Sequence, residues 1–308
     1  MIARFHGIIP PMVTPFNNDE TIAERALQEE AEYLISAGAS GLTVTGSTGE
    51  GAGLSPDETH RAQRAVVAQV RGRAPVIGGA VPDTTVEAIR LAQAAREAGV
   101  DALQITPPHY LFPPAADDVV EYYREIAGAS GLPVIIYNVV PWATIGVPTL
   151  LRLIALPGIA GVKQSGGDIH KLSELLHAAR GATSILTAVD DLLYPSFVLG
   201  ADGAIAAILT AVPALCVALF NAVRARDHET ALALHDRLLT VWQALEGPNL
   251  PARVKAALTL QGRPGGRARR PMTQPAPADV ARLEQALRAA GVAVTIGAAS
   301  AAHLTASE

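Results

Sequence analysis

Two apolar stretches, Val134-Ile135-Ile136-Tyr137-Asn138 and Ile159-Ala160-Gly161-Val162-Lys163, decide the fold of this 308-residue chain. Neither stretch alternates apolar with polar residues, which is typical of parallel strands that are buried on both faces. Amphipathic helical patterns separate such stretches along the chain. We therefore interpret the two stretches as neighbouring strands of a parallel sheet, with a tyrosine and a lysine near their ends.

Eight stretches of this kind occur in order, and helical patterns lie between them. Helix start signals support this interpretation: Ser55-Pro56-Asp57-Glu58 places an N-cap serine before a proline and two acids. Eight β-then-α units in succession predict the α/β class and a (β/α)8 TIM barrel with appended C-terminal helices. The predicted strands span residues 7–13, 41–45, 76–81, 102–106, 134–138, 159–163, 184–188 and 204–208.

Three further helical patterns follow the eighth unit, over residues 229–246, 251–260 and 278–290. We expect the barrel to occupy residues 1–225 and a helical extension, packed on the barrel, to occupy residues 226–292. Residues 293–308 are rich in Ala and Ser and have no clear period, so we expect a flexible tail there.

Composition excludes several classes of function. The residues are 49% hydrophobic and 17% charged, and the net charge of −5 carries no basic face of the kind that binds nucleic acid. The densest basic stretch, residues 263–270, has Gly and Pro between its arginines and is interpreted as a solvated loop. No uninterrupted apolar run is long enough to span a membrane, and no signal peptide opens the chain. With one cysteine, Cys216, in an apolar run, we expect a cytoplasmic protein.

Lys163 and Tyr137 are the leading candidates for chemistry. In a barrel of this kind the reactive groups lie at the C-terminal ends of the strands, where both residues stand. A buried amine tends to lose its proton, and a neutral amine can attack a carbonyl and form a Schiff base. A lysine that only extends its ammonium to water is the alternative that position alone leaves open.

The segment Gly46-Ser47-Thr48-Gly49-Glu50-Gly51 follows the second strand. Its glycines let the backbone curl and present N–H groups, which suits a carboxylate or phosphate. It lacks the lysine of a nucleotide-binding P-loop, so ATP is disfavoured. An ordinary glycine-rich turn is the alternative.

Two further groups of polar residues receive a structural interpretation. Asp190 and Asp191 at the end of strand seven are expected to cap the following helix. The histidines are scattered without a shared ligand spacing, so we expect no metal site.

Three motifs in this order resemble the dihydrodipicolinate synthase / N-acetylneuraminate lyase family. The turn Gly46-Ser47-Thr48-Gly49-Glu50 resembles its G-[ST]-T-G-E motif, Tyr137-Asn138-Val139 resembles Y-N-x-P, and Gly161-Val162-Lys163 resembles the strand that bears the Schiff-base lysine. Supporting features extend the resemblance over residues 5–290.

The resemblance implies a class I aldolase or lyase without a cofactor other than the covalent lysine imine. Lys163 would attack pyruvate or another 2-oxo acid, and Tyr137 would be the general acid/base. The 2-oxo acid would be held by Ser47 and Thr48, with Thr48 also hydrogen-bonded to Tyr137. Further positions that match the family's pocket are Gly46, Gly203 and Ile205. The family also implies a homotetramer, a dimer of dimers in which Tyr110 reaches across an interface.

The sequence departs from the synthases at the acceptor side. After Tyr137-Asn138 they carry an arginine that binds the carboxylate of the aldehyde, whereas Trp142 or Ala143 stands here. Neither side chain can replace an arginine fork. His109 and Gln164 replace a usual tyrosine and glutamate. We therefore predict a less cationic, more apolar or aromatic acceptor pocket, with Trp142 in its lining; simple loop packing of Trp142 is the alternative.

Three functions remain open at this point. The first is a Schiff-base lyase that adds, cleaves or dehydrates a 2-oxo acid. The second is a true dihydrodipicolinate synthase, which condenses pyruvate with aspartate semialdehyde. The third is a non-catalytic barrel that binds a 2-oxo acid.

Overall fold

The computed structural model of the protein describes residues 4–110, 112–165 and 168–298. Eight parallel strands form one sheet in the order β1-β8-β7-β6-β5-β4-β3-β2. The strands are β1 Gly7–Ile8, β2 Leu42–Val44, β3 Val76–Ala80, β4 Ala102–Ile105, β5 Val134–Asn138, β6 Ile159–Gln164, β7 Ser184–Thr187 and β8 Gly203–Ala204. Met12 N–H donates to Thr43 O and Thr43 N–H donates to Pro10 O, and these bonds close the sheet between β1 and β2. The predicted (β/α)8 TIM barrel is confirmed.

Helices cover the outside of the barrel and continue past it. They are α1 Glu24–Ser36, α2 Pro56–Val70, α3 Thr85–Ala98, α4 Ala116–Ser130, α5 Val147–Ile154, α6 Ile169–Ala178, α7 Leu193–Leu199, α8 Ala207–Ala211, α9 Pro213–Arg224, α10 His228–Leu245, α11 Leu250–Leu260 and α12 Pro277–Ala289. The predicted N-cap serine is present at α2 as part of a capping box, in which the side chains of Ser55 and Glu58 each accept a hydrogen bond from the other's backbone N–H. In the described part of the chain, no helix is long and apolar enough to cross a membrane.

The apolar side chains form two layers. The larger lies between the sheet and the helices, while a smaller cluster fills the barrel interior with one residue from most strands. The interior cluster consists of Phe5, Ile9, Ile77, Ala102, Ile135, Ala160, Leu186 and Ile205. Because side chains alternate along a strand, residues two positions after Ala102 or Ile135 also point inward, toward the catalytic end.

The C-terminal helices are joined to the barrel by buried charges. Lys255 of α11 pairs with Glu50, and both side chains are buried. Burial lowers the pKa of Lys255 to about 8, although the charge of Glu50 acts in the opposite direction. The division into residues 1–225 and 226–292 stays a prediction, and most of the predicted tail, residues 299–308, lies outside the described residues.

The interpretation of residues 263–270 as a solvated loop was wrong. Arg263 is only 6% exposed and pairs with Glu30 of α1. Burial raises the pKa of Glu30 to about 7, although Arg263 partly offsets the effect. Arg269 pairs with Glu58 and stacks on the ring of Phe16. The arginines therefore attach this segment to the barrel, and the Gly and Pro residues between them allow its compact path.

We predict that Lys255→Met destabilises the protein by about 3–5 kcal/mol, because it leaves the Glu50 carboxylate buried without a counter-charge. Urea unfolding followed by circular dichroism measures the change. The double variant Glu50→Gln/Lys255→Met should recover part of the loss. Equal stability of Lys255→Met and the natural protein would contradict a structural role for the pair.

Candidate active site

The site lies at the C-terminal ends of β2, β5 and β6. Tyr137 and Lys163 are register partners on adjacent parallel strands. The Nζ atom of Lys163 lies 4.2 Å from the centroid of the Tyr137 ring, and the lysine is 4% exposed. The expected pair is therefore in direct contact, and the alternative of a lysine that extends to solvent does not fit this burial.

Ser47 contacts the hydroxyl of Tyr137. Tyr137 Oη donates to Ser47 Oγ at 2.9 Å, and the backbone N–H of Ser47 points to Tyr137 Oη at 3.4 Å. The hydrogen bond that we expected between Thr48 and Tyr137 is made by Ser47 instead. Thr48 follows Ser47 in the turn and is buried.

The environment of Tyr137 favours its ionised form. Burial by itself raises the pKa of the phenol, but the charge of Lys163 and the hydrogen bonds of Ser47 outweigh this effect. The pKa of Tyr137 therefore lies below its usual range. A phenol whose pKa is lowered gives up its proton more readily than an ordinary tyrosine, which suits an acid/base role.

The turn that presents Ser47 is fixed by its own backbone and by Thr14, in the segment that follows β1. Gly51 N–H donates to Gly46 O, Glu50 N–H donates to Ser47 O, and the Thr14 hydroxyl donates to Gly49 O at 2.7 Å. A Cβ atom on Gly51 would lie 1.9 Å from Thr45 O, so only glycine fits there. These contacts explain why glycine is required at position 51 of the turn.

The loop after β5 is anchored by Asn138. Its side-chain amide donates to Ile145 O and to Gln164 Oε1, while Asn138 Oδ1 accepts from Ile145 N–H. Trp142, in the middle of this loop, is 66% exposed, and its indole N–H donates to His109 O at 3.0 Å. The side chains of Trp142 and His109 thus form one surface wall, linked further to Asp83, which lies 3.3 Å from His109 Nδ1.

The predicted site residues Tyr110, Ile205 and Gly203 make other contacts. Tyr110 is 73% exposed, held through its backbone N–H by Asp83. Ile205 belongs to the interior apolar cluster. Gly203 faces β1, where a Cβ atom would lie 2.2 Å from Gly7 O, so strand contact alone explains this glycine.

Asp190 is a group near the site for which the sequence interpretation named the wrong helix. Its carboxylate accepts from the backbone N–H of Ile208 at the start of α8, rather than capping the helix that follows it. Burial raises the pKa of Asp190 to about 6, and the charge of Lys163 partly offsets this. Asp190 is therefore close enough to Lys163 for its pKa to respond to the lysine charge. The sequence could not show that the end of β7 lies beside the start of α8, so it did not predict the bond to Ile208.

A cavity of 510 Å³ adjoins Ser47 on the side of the C-terminal segment. The Gly46–Glu50 turn forms one wall, and residues 269–272 with Asn249 form the other. Trp142 is not among its lining residues, so the cavity does not test the predicted aromatic acceptor pocket. In the described residues, no group of three or more His, Cys, Asp and Glu side chains is arranged to hold a metal ion.

A protein-family model described as the dihydrodipicolinate synthetase family matches residues 4–290. The chain belongs to this family. It is 35% identical to a 4-hydroxy-tetrahydrodipicolinate synthase of Hyphomonas neptunium, over 94% of this chain and 99% of that protein.

Solved structures of family members superimpose closely on the chain. One is the chloride-inhibited dihydrodipicolinate synthase of Acinetobacter baumannii in complex with pyruvate, with a TM-score of 0.88, 29% identity and coverage of 94% of this chain and 99% of that one. Another is an E. coli prophage protein of the same family in complex with pyruvate, with a TM-score of 0.89, 28% identity and coverage of 94% and 100%. The family resemblance drawn from the three motifs is confirmed.

We predict that Ser47→Ala moves the limb of the pH–rate profile that reports Tyr137 to higher pH, because it removes a hydroxyl that lowers the pKa of the phenol. The rate at neutral pH should fall roughly tenfold, the usual effect of losing one hydrogen bond to a charged group. Deuterium exchange into the methyl group of pyruvate, followed by NMR across pH, measures both effects.

Thr48→Val provides the comparison for this test. It removes the neighbouring hydroxyl, so it should weaken pyruvate binding without moving that limb. A shift with Thr48→Val and none with Ser47→Ala would overturn the assignment of Ser47.

Proposed function

We propose that the protein is a Schiff-base-forming lyase that acts on pyruvate or another 2-oxo acid. Its family consists of class I aldolases and lyases. The observation that carries the proposal is the buried contact between Lys163 and Tyr137, with Ser47 hydrogen-bonded to the same phenol. An amine, an acid/base and a hydroxyl-lined turn within one barrel mouth are the groups that imine formation requires.

The reaction would begin with attack of the neutral Lys163 amine on the C2 carbonyl of the 2-oxo acid. Tyr137 would give a proton to the resulting alkoxide and take up the proton that the attacking nitrogen loses, which yields the carbinolamine. It would then protonate the carbinolamine hydroxyl, which leaves as water and forms the iminium. Loss of a C3 proton, or cleavage of a bond at C3, would place the electron pair in an enamine. In the synthetic direction the enamine would add to the carbonyl carbon of an acceptor, and water would release the product from Lys163.

The carboxylate of the 2-oxo acid would lie against the Gly46–Glu50 turn. Ser47 and Thr48 offer hydroxyl and backbone N–H groups there, and Glu50 is neutralised by Lys255. A buried turn whose single acid is already paired favours an incoming anion. Ile205 supplies an apolar floor in the barrel interior, and strand contact with β1 accounts for Gly203 without a substrate contact.

Two other functions are less well supported. A dihydrodipicolinate synthase needs a cation for the carboxylate of aspartate semialdehyde, and the loop after β5 carries the exposed Trp142 in place of arginine. A barrel that only binds a 2-oxo acid has no need of a phenol with a lowered pKa. A cytoplasmic location fits the chemistry and is proposed with it.

Reduction with borohydride in the presence of pyruvate tests the imine. We expect one covalent adduct, on Lys163, found by mass spectrometry of the digested protein, and none in Lys163→Arg. Failure to trap any 2-oxo acid would overturn the proposal. Rapid condensation of pyruvate with aspartate semialdehyde would instead favour the synthase.

Substitution of Tyr137 separates an enzyme from a binding protein. In Tyr137→Phe the proton transfers should slow by about 10²–10⁴-fold, because the acid/base is lost while the amine remains. Binding of pyruvate, measured by calorimetry, should change little. Unchanged deuterium exchange in this variant would rule out the acid/base role.

We also propose a homotetramer, built as a dimer of dimers, in which Tyr110 completes the proton relay of a neighbouring subunit. The exposure of its side chain supports a role that involves a second subunit. Tyr110→Phe should lower turnover while light scattering still reports a tetramer. A fully active monomer would contradict the assignment.

A further inference from the structure

The barrel interior below the Gly46–Glu50 turn contains polar side chains that the mechanism does not use. Within the described residues, both amide atoms of Gln104 and the hydroxyls of Thr43 and Thr106 are buried and lack a hydrogen-bond partner. Each of these three side chains is 0% exposed. A buried polar group without a partner costs about 1–3 kcal/mol, so three neighbouring ones point to a ligand that satisfies them together.

These side chains point into the barrel. Gln104 follows Ala102 of the interior cluster by two positions on β4, and Thr106 follows Gln104 by two more. Thr43 lies on β2 between Leu42 and Val44, which face the helices as part of the outer layer. Because side chains alternate along strands, Thr43 and Gln104 share the inner face with Tyr137.

Gly46 lies between these buried polar side chains and the catalytic site. A Cβ atom on Gly46 would lie 3.6 Å from Gln104 Nε2, 3.9 Å from Tyr137 Oη and 3.9 Å from Thr43 Cγ2. The Gln104 amide and the Tyr137 hydroxyl therefore approach the same point, and Thr43 approaches it with its methyl group. An amide and a hydroxyl at such a point supply two polar partners, the minimum that a buried water needs.

We propose that Gln104 holds a buried water molecule against the Tyr137 hydroxyl, and that Gln104 is thereby a positioning residue for this acid/base. Ser47 contacts the hydroxyl from the mouth of the barrel, and the water contacts it from the interior. When Tyr137 gives up its proton, the water donates to the phenolate, and when the phenol is restored, the water accepts from it. The inference rests on the proposed role of Tyr137, and it adds a second, internal contact that fixes the phenol.

The first test is Gln104→Met, which keeps the volume of the side chain and removes the amide. We expect the limb of the pH–rate profile that reports Tyr137 to move to higher pH. Deuterium exchange into the methyl group of pyruvate should slow roughly tenfold, as for one hydrogen bond to a charged group. Borohydride trapping on Lys163 should persist, because the amine is untouched.

Gln63→Met is the matched control. Gln63 is equally buried and also has an unpartnered amide oxygen, but it lies on the helix side of the sheet, where its Nε2 donates to Thr45 Oγ1 at 2.9 Å. Loss of the Gln63 amide should change the midpoint of thermal unfolding but should not move the limb of the pH–rate profile that reports Tyr137. A profile of Gln104→Met that matches the natural protein, or a shift equal to that of Gln63→Met, would overturn the inference.

If Gln104→Met does not fold, the natural protein itself still tests the inference. A high-resolution crystal structure of the natural protein should show a water within hydrogen-bond distance of Gln104 and Tyr137 Oη, and density without it would refute the inference. Failure of trapping in the natural protein would count against the proposed function alone, because the crystallographic result does not depend on chemistry.

Discussion

The buried ion pair of Glu50 and Lys255 is the constraint on which the site depends. Glu50 belongs to the turn that carries Ser47, whereas Lys255 lies on α11, far along the chain. The second carboxylate oxygen of Glu50 accepts from Arg269 N–H, so both oxygens are bound by the C-terminal segment. Since neither charge tolerates burial alone, the turn is held in place only when the C-terminal helices pack on the barrel.

A short series of contacts connects this ion pair to the reactive groups. The backbone bonds of the turn fix Ser47, the hydroxyl of Ser47 fixes the phenol of Tyr137, and the phenol lies against Lys163. The second and third of these contacts cross from one part of the barrel to another, so no single element contains the site. This arrangement explains how helices outside the barrel contribute to chemistry without a side chain in contact with the reacting atoms, as positioning shells do in enzyme sites generally.

Much of the fold follows from the sequence because buried parallel strands have a simple signature. The limits of β5 are those predicted, and those of β6 differ by one residue. The predicted first and last strands were too long. Residues 7–13 yield only Gly7–Ile8, since Pro10 and Pro11 cannot donate to a ladder, and β8 ends at Ala204 because the chain turns into α8.

The sequence by itself determined the barrel class, the family and the pairing of Lys163 with Tyr137, because strand order and the C-terminal rule place them together. Only the tertiary structure decided that Ser47 rather than Thr48 meets the phenol, since the curl of a tight turn sets which hydroxyl points inward. It also decided that Arg263 and Arg269 pair with acids of the barrel, and that Gln104 lies beneath the site. Those partners are distant along the chain, and local pattern carries no information about contacts that packing alone creates.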